Sequence, residues 1–136
     1  VNYLLDTNVC IALINETSSK VRARFMQAAR SKATLATSTI VAHELWYGVA
    51  KSELVAQNAR ALTAFLGSEV TVLDYSTQDA QAAGEIRATL ESQGQRIGEY
   101  ETLIAGQAYA RNLILVTANT REFGRVKGLV VEDWTV

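Results

Sequence analysis

Four acidic residues fall where an ordinary surface charge is not expected. Asp6 closes the apolar run Tyr3-Leu4-Leu5, and Glu44 interrupts the largely apolar stretch Ile40 to Tyr47. Glu101 directly precedes a segment carrying Leu103 and Ile104, and Glu122 follows shortly after the run Leu113 to Val116. Singly, each has a structural explanation. Asp6 can cap a helix, Glu44 can lie on a solvated helix face, and Glu101 can complement a helix dipole. Glu122 can pair with Arg121 or Arg125. Together at one end of a sheet, however, these carboxylates would repel, raise one another's pKa and need a cation to stay ionised. Hard oxygen donors select Mg²⁺ or Mn²⁺ over zinc. Such an ion activates water and clamps a phosphate, so the implied chemistry is phosphodiester hydrolysis. Nucleophilic catalysis by Ser or Cys has little support. His43 is the only histidine, and neither G-x-S-x-G nor a Gly-rich phosphate loop is present.

The elements needed to gather these acids are legible in the pattern. Asn2 to Leu5 predicts a strand ending at the helix-start signal Asp6-Thr7-Asn8, with a helix over Val9 to Ile14. Ser18 or Ser19 caps a helix through Arg30 with Val21, Phe25, Met26 and Ala29 inward. Thr34 to Ala36 is strand-like, Ser38 or Thr39 opens a helix through Ala50, and another helix runs from about Glu53 to Leu66. Val70 to Leu73 predicts a buried strand, followed by helices over Ser76–Gln93 and Glu99–Arg111. Leu113 to Val116 is continuously apolar, as in a parallel strand covered on both faces, and Leu129 to Val131 is a last short strand. Strands alternating with helices imply an α/β fold, with a parallel sheet and helices on both faces. Ligands in such sheets sit beyond the carboxyl ends of the strands. If the first strand neighbours Leu113–Val116 at the switch point, Asp6, Asn119 and Glu122 come together.

The 136 residues suit one domain, with no Pro, no repeat and no linker. Apolar residues make up 49% and charged residues 20%, the balance of a soluble domain. The net charge of -1 argues against binding nucleic acid by bulk positive charge. Cys10 is alone, which excludes an internal disulfide and fits a reducing compartment. Asp6 breaks the opening apolar run, so no secretory leader is expected, and no stretch approaches the ~20 apolar residues of a membrane span. A cytoplasmic location is the expectation.

At the residues above, the chain resembles the PIN-domain ribonucleases, and among them the VapC-type toxins. The matching segments are Leu4-Leu5-Asp6-Thr7-Asn8-Val9, Glu44-Leu45-Trp46-Tyr47-Gly48, and Ile97-Gly98 with Tyr100-Glu101 and Leu103-Ile104-Ala105. They continue through Thr117-Ala118-Asn119-Thr120-Arg121-Glu122-Phe123 and Gly128-Leu129 to Glu132-Asp133-Trp134. The ordered set is specific where no single piece is. The resemblance implies an endoribonuclease, the toxin of a type II toxin–antitoxin pair. It implies an acidic pocket holding Mg²⁺ or Mn²⁺, a homodimer, and inhibition by a cognate antitoxin. Asp6, Glu44, Glu101 and Glu122 fall on the family's acidic positions as catalytic and metal-holding residues, with Thr7 and Asn119 as polar auxiliaries. The chain departs from the family in carrying Glu101 where Asp is usual and Glu99 where Pro is frequent. The longer carboxylate keeps the charge but loosens the geometry, and catalytic sites tolerate only ~0.5 Å of looseness.

That departure sets the competing expectation, a module of the same fold that binds metal, RNA or antitoxin without efficient cleavage. A phosphoacceptor domain built on Asp6 ranks lower, because Thr117-Ala118-Asn119 supplies no lysine after the later strand. Arg121, Arg125 and Lys127 could hold RNA phosphates or form a solvated, salt-bridged loop. Trp46 and Tyr47 could stack on a base but are expected to serve as core or dimer contacts. Trp134 is expected to anchor packing, and His43, adjacent to Glu44, is expected to point away from it.

Overall fold

A computed structural model describes residues 2–136. The element order is β1 (Asn2–Leu5), α1 (Thr7–Asn15), α2 (Ser19–Arg30), β2 (Thr34–Ser38), α3 (Thr39–Ala50) and α4 (Val55–Leu66). It continues with β3 (Thr71–Leu73), α5 (Thr77–Ser92), α6 (Glu99–Ala110), β4 (Ile114–Val116), α7 (Thr120–Phe123) and β5 (Val131–Glu132). All pairings are parallel and the strand order is β3-β2-β1-β4-β5. The chain therefore steps outward one way from β1 through β2 and β3, and the other way through β4 and β5. The switch point lies between β1 and β4, where a ligand crevice is expected.

Consecutive strand residues point to opposite faces. Leu4 and Leu5 are both fully buried, as are Leu115 and Val116, so helices cover both faces of the central strands. Serine side chains start three of the helices: Ser18 caps α2, Ser38 caps α3, and Ser76 forms a capping box with Asp79 on α5. Trp134 is buried as expected, edge-on to Tyr3 at 5.2 Å, with its Nε1 donating to Glu132.

Several boundaries differ from the sequence reading for local reasons. β5 begins at Val131 rather than Leu129, because Leu129 N donates to Val126 O in a turn that passes through Gly128 at φ 84°. α4 begins at Val55 rather than near Glu53, since Ser52 closes a turn on the Val49 carbonyl and accepts from Asn58. The segment after β4, read as a loop, contains the short helix α7, capped by Asn119. Met26 is exposed, the inward stripe of α2 being Val21, Phe25, Ala28 and Ala29. Trp46 and Tyr47, at 40% and 61% exposure, are not core residues.

The α5–α6 pair holds the frame behind the site. A Cβ at Gly106 would stand 2.7 Å from the Ala83 backbone, so the two helices approach as closely as only glycine permits. Asp79, 1% exposed, accepts from Arg111 Nε at 3.2 Å and Nη2 at 2.8 Å, from Gln107 at 3.1 Å and from Ser76 N at 2.8 Å. These donors hold its carboxyl below the usual carboxylate range against the opposing effect of burial. Asp79→Asn is expected to destabilise the fold by about 2 kcal/mol at pH 7, the scale of a charged hydrogen bond. A group with a depressed folded pKa stabilises above its unfolded pKa and loses that contribution as pH falls through the folded value. The difference between the two forms in urea unfolding should therefore shrink below about pH 4. An undiminished difference at pH 2 would contradict the role of the charge.

Candidate functional site

Parallel pairing sets Leu5 opposite Val116, so the residues that follow them, Asp6 and Thr117, leave the sheet side by side. Asp6 N donates to Val116 O at 3.0 Å, extending the ladder by one bond. Asp6 is also the N-cap of α1: its Oδ1 accepts from Thr7 N at 2.8 Å, while its Oδ2 accepts from Thr117 Oγ1 at 2.7 Å. Both oxygens are thus oriented, yet the residue is only 9% exposed. Burial pushes its carboxyl pKa up, partly offset by the Thr117 and Thr7 hydrogen bonds. The cap and the candidate ligand are therefore one residue.

α3 leaves β2 through the Ser38 cap and carries Glu44 to the same end of the sheet. Thr7 Oγ1 donates to Glu44 Oε1 at 3.1 Å. Glu44 also has a raised pKa, chiefly from burial; the Thr7 hydrogen bond lowers it, and the negative charges of Asp6 and Glu101 raise it. On the other flank, Thr117 Oγ1 accepts from Asn119 N at 3.0 Å, and Asn119 Nδ2 donates to Glu122 Oε2 at 3.1 Å. A continuous chain of bonds runs Glu44–Thr7–Asp6–Thr117–Asn119–Glu122. Glu122 is paired with Asn119 rather than with Arg121 or Arg125, the alternative weighed from the sequence.

The fourth acid is held differently. Glu101 lies in the first turn of α6, and its side chain folds back so that a Cβ on Gly98 would collide with its Oε2. Among the described residues, no three His, Cys, Asp or Glu side chains converge tightly enough to enclose an ion between them. The basic residues also divide. Arg125 Nη1 donates to the Gln95 and Arg96 carbonyls, at 3.5 and 3.0 Å, bracing the loop that leads into α6, whereas Arg121 and Lys127 are exposed.

The model of the PIN domain matches residues 3–129. The chain belongs to the PIN-domain family. Within that family it lies among the VapC proteins. It is 41% identical to the tRNA(fMet)-specific endonuclease VapC of Shigella flexneri, over 98% of each chain. It superposes with TM-score 0.92 and 39% identity on a chain of the crystal structure of VapBC2 from Rickettsia felis bound to a DNA fragment from their promoter, covering 98% of this chain and 99% of that one. A chain of DNA-bound VapBC from Salmonella typhimurium gives 0.89 and 40%, with 98% of each covered.

Against this PIN fold, the residue missed by the sequence reading is Thr117. It occupies after β4 the place that Asp6 occupies after β1. Pairing β1 with β4 in register would have found it. His43, set aside for its direction, packs on Tyr100 with ring centroids 5.8 Å apart.

Proposed function

We propose that this protein is a divalent-metal-dependent endoribonuclease, the toxin of a toxin–antitoxin pair. Asp6 carries the reading: a buried carboxylate at the switch point, both oxygens oriented, its pKa raised, with Glu44 and Glu122 tied to it through Thr7 and through Thr117–Asn119. Asp6 and Glu44 are hard oxygen donors whose pKa values burial raises, and Mg²⁺ or Mn²⁺ would keep such groups ionised. Asp6 and Glu44 would hold the ion, and Glu122 and Glu101 would join them on rotation of their side chains, since among the described residues no three of the acids enclose an ion as they stand. When bound, the ion supplies Lewis acidity toward the scissile phosphate and lowers the pKa of attacking water.

The chain's own residues have separate tasks. Thr117 and Thr7 N fix the rotation of the Asp6 carboxylate, so that it meets a cation without reorganisation. Thr7 Oγ1 restrains Glu44, and the Asn119 amide restrains Glu122. Of the basic side chains, Arg121 and Lys127 are the ones to meet RNA phosphate, while Arg125 positions the α6 loop.

Cleavage of a single-stranded RNA should need added Mg²⁺ or Mn²⁺, cease in excess EDTA and return when Mn²⁺ is restored. Full activity in EDTA would remove the metal from the mechanism. Among the described residues no helix is long and apolar enough to cross a membrane.

The antitoxin belongs to the same proposal. A cleft of about 490 Å³ adjoins Glu44, with Ile11 and Ile14 of α1, Leu45 and Val49 of α3, and Leu62 of α4 along it. An antitoxin segment with apolar or aromatic residues would fill the cleft, and a basic side chain beside Glu44 would close the acid pocket. Charge pairing of that kind makes association fast and salt-sensitive. Co-expression should yield a complex in which cleavage is lost. A complex that cleaves RNA at the free rate would rule out this mode of inhibition.

A further inference from the structure

We infer that Tyr100, His43, Tyr47 and Lys51 form a stacking strip that receives single-stranded RNA beside the acid pocket. The inference deepens the endoribonuclease reading and rests on it. His43, Tyr47 and Lys51 are spaced four residues apart on α3 and its C-cap. They therefore follow one side of the helix at about 6 Å per step. All are exposed, Tyr47 at 61% and Tyr100 at 44%. The strip is already assembled: His43 and Tyr100 lie 5.8 Å apart at a 33° tilt, and Lys51 Nζ stands 4.6 Å from the Tyr47 ring centroid.

Its position decides what it serves. The His43–Tyr100 pair joins α3 to α6, the two helices that carry Glu44 and Glu101, and His43 is near enough to Glu44 to act on its charge, so the strip runs along the helices that present two of the candidate ligands. A nucleotide stacked there would lie next to the phosphate presented to the acids.

Electrostatics favours the same occupant. The chain has net charge -1 and an acidic pocket, so it cannot draw RNA in by bulk attraction. Ring stacking is worth about 1–3 kcal/mol per base and tolerates any base. A lysine over the far ring adds one phosphate contact without turning the surface basic. Exposed rings that end on a cation are the composition of a single-strand path; a protein partner also takes exposed rings, and the test below separates the two.

The test uses the full-length protein and an oligoribonucleotide that it cleaves in Mn²⁺, carrying 2-aminopurine near the cut. Tyr100→Ala, His43→Ala and Tyr47→Ala should each raise KM about tenfold and lose the fluorescence quenching of a stacked base. Tyr100→Phe and Tyr47→Phe should restore both to within about twofold, because the ring alone does the stacking. Thermal melting run alongside separates this from misfolding, since exposed rings contribute little to the core. Cleavage by the parent protein with KM unchanged in all three alanine variants overturns the strip and leaves the endoribonuclease reading standing. Unchanged KM with weakened antitoxin binding, or with a shifted oligomeric state, assigns the rings to a protein partner and also overturns it. A parent protein that neither binds nor cleaves RNA overturns both readings together.

Discussion

Asp6→Asn is expected to lower RNA cleavage by at least on the order of a hundredfold, the scale of losing one preorganised electrostatic group, without lowering the melting temperature. Asparagine matches aspartate in volume and caps helices about as well, so the Thr7 N–H keeps an acceptor. Its amide can face Thr117 Oγ1 once that hydroxyl rotates. What disappears is a charge that burial makes costly, since the folded pKa of Asp6 lies above its ordinary value. A group with a raised folded pKa opposes folding when ionised, so at pH 7 the variant should melt at the same temperature or slightly higher. Activity lost while stability is kept or gained separates a functional carboxylate from a cap. If cleavage persists in the variant, Asp6 is only the cap of α1.

Glu101→Asp is expected to raise cleavage by about tenfold to a hundredfold, since a misplacement of about 1 Å can cost a hundredfold in rate. The glutamate folds back over Gly98, where only the missing Cβ leaves room for its Oε2. Aspartate is one methylene shorter and cannot lie along that path, so its carboxylate is released toward Glu44. Mg²⁺ demands near-octahedral oxygens at about 2.0–2.1 Å and penalises a flexible ligand. Metal affinity should change little, because the charge is kept, and the gain should appear in single-turnover cleavage at saturating Mn²⁺. Equal or lower activity would mean that the backbone around Gly98 has adjusted to glutamate and that Glu101 is a working ligand as it stands.

The sheet was legible because its signals are local and strong. Leu113 to Val116 reads as a strand covered on both faces, and Leu4, Leu5, Leu115 and Val116 are all fully buried. Bringing Asp6 beside the segment after β4 required only the assumption that β1 and β4 are neighbours, which the register Leu5–Val116 bears out. What escaped depends on contacts distant in sequence. Thr117 matters through a hydroxyl bonded to a residue 111 positions away. Arg125 looked available for phosphate until the 93–98 loop supplied its acceptors. Gln107, a polar residue midway along α6, is fully buried, drawn in by Asp79 and the Asp74 carbonyl. Glu101 fell in the expected helical turn, but the direction of its side chain depends on the gap at Gly98, which no pattern of hydrophobicity records.

The most direct measurement is anomalous diffraction from crystals of the protein grown with Mn²⁺. A metal-dependent ribonuclease built on these carboxylates should show a peak between Asp6 and Glu44, beyond the ends of β1 and β4, with Glu122 in its surroundings and Glu101 turned away from Gly98 toward it. The same crystals of Asp6→Asn should lose that peak. A protein that cleaves RNA in Mn²⁺ yet shows no density at this junction, or binds the ion elsewhere, would contradict the assignment of the acids.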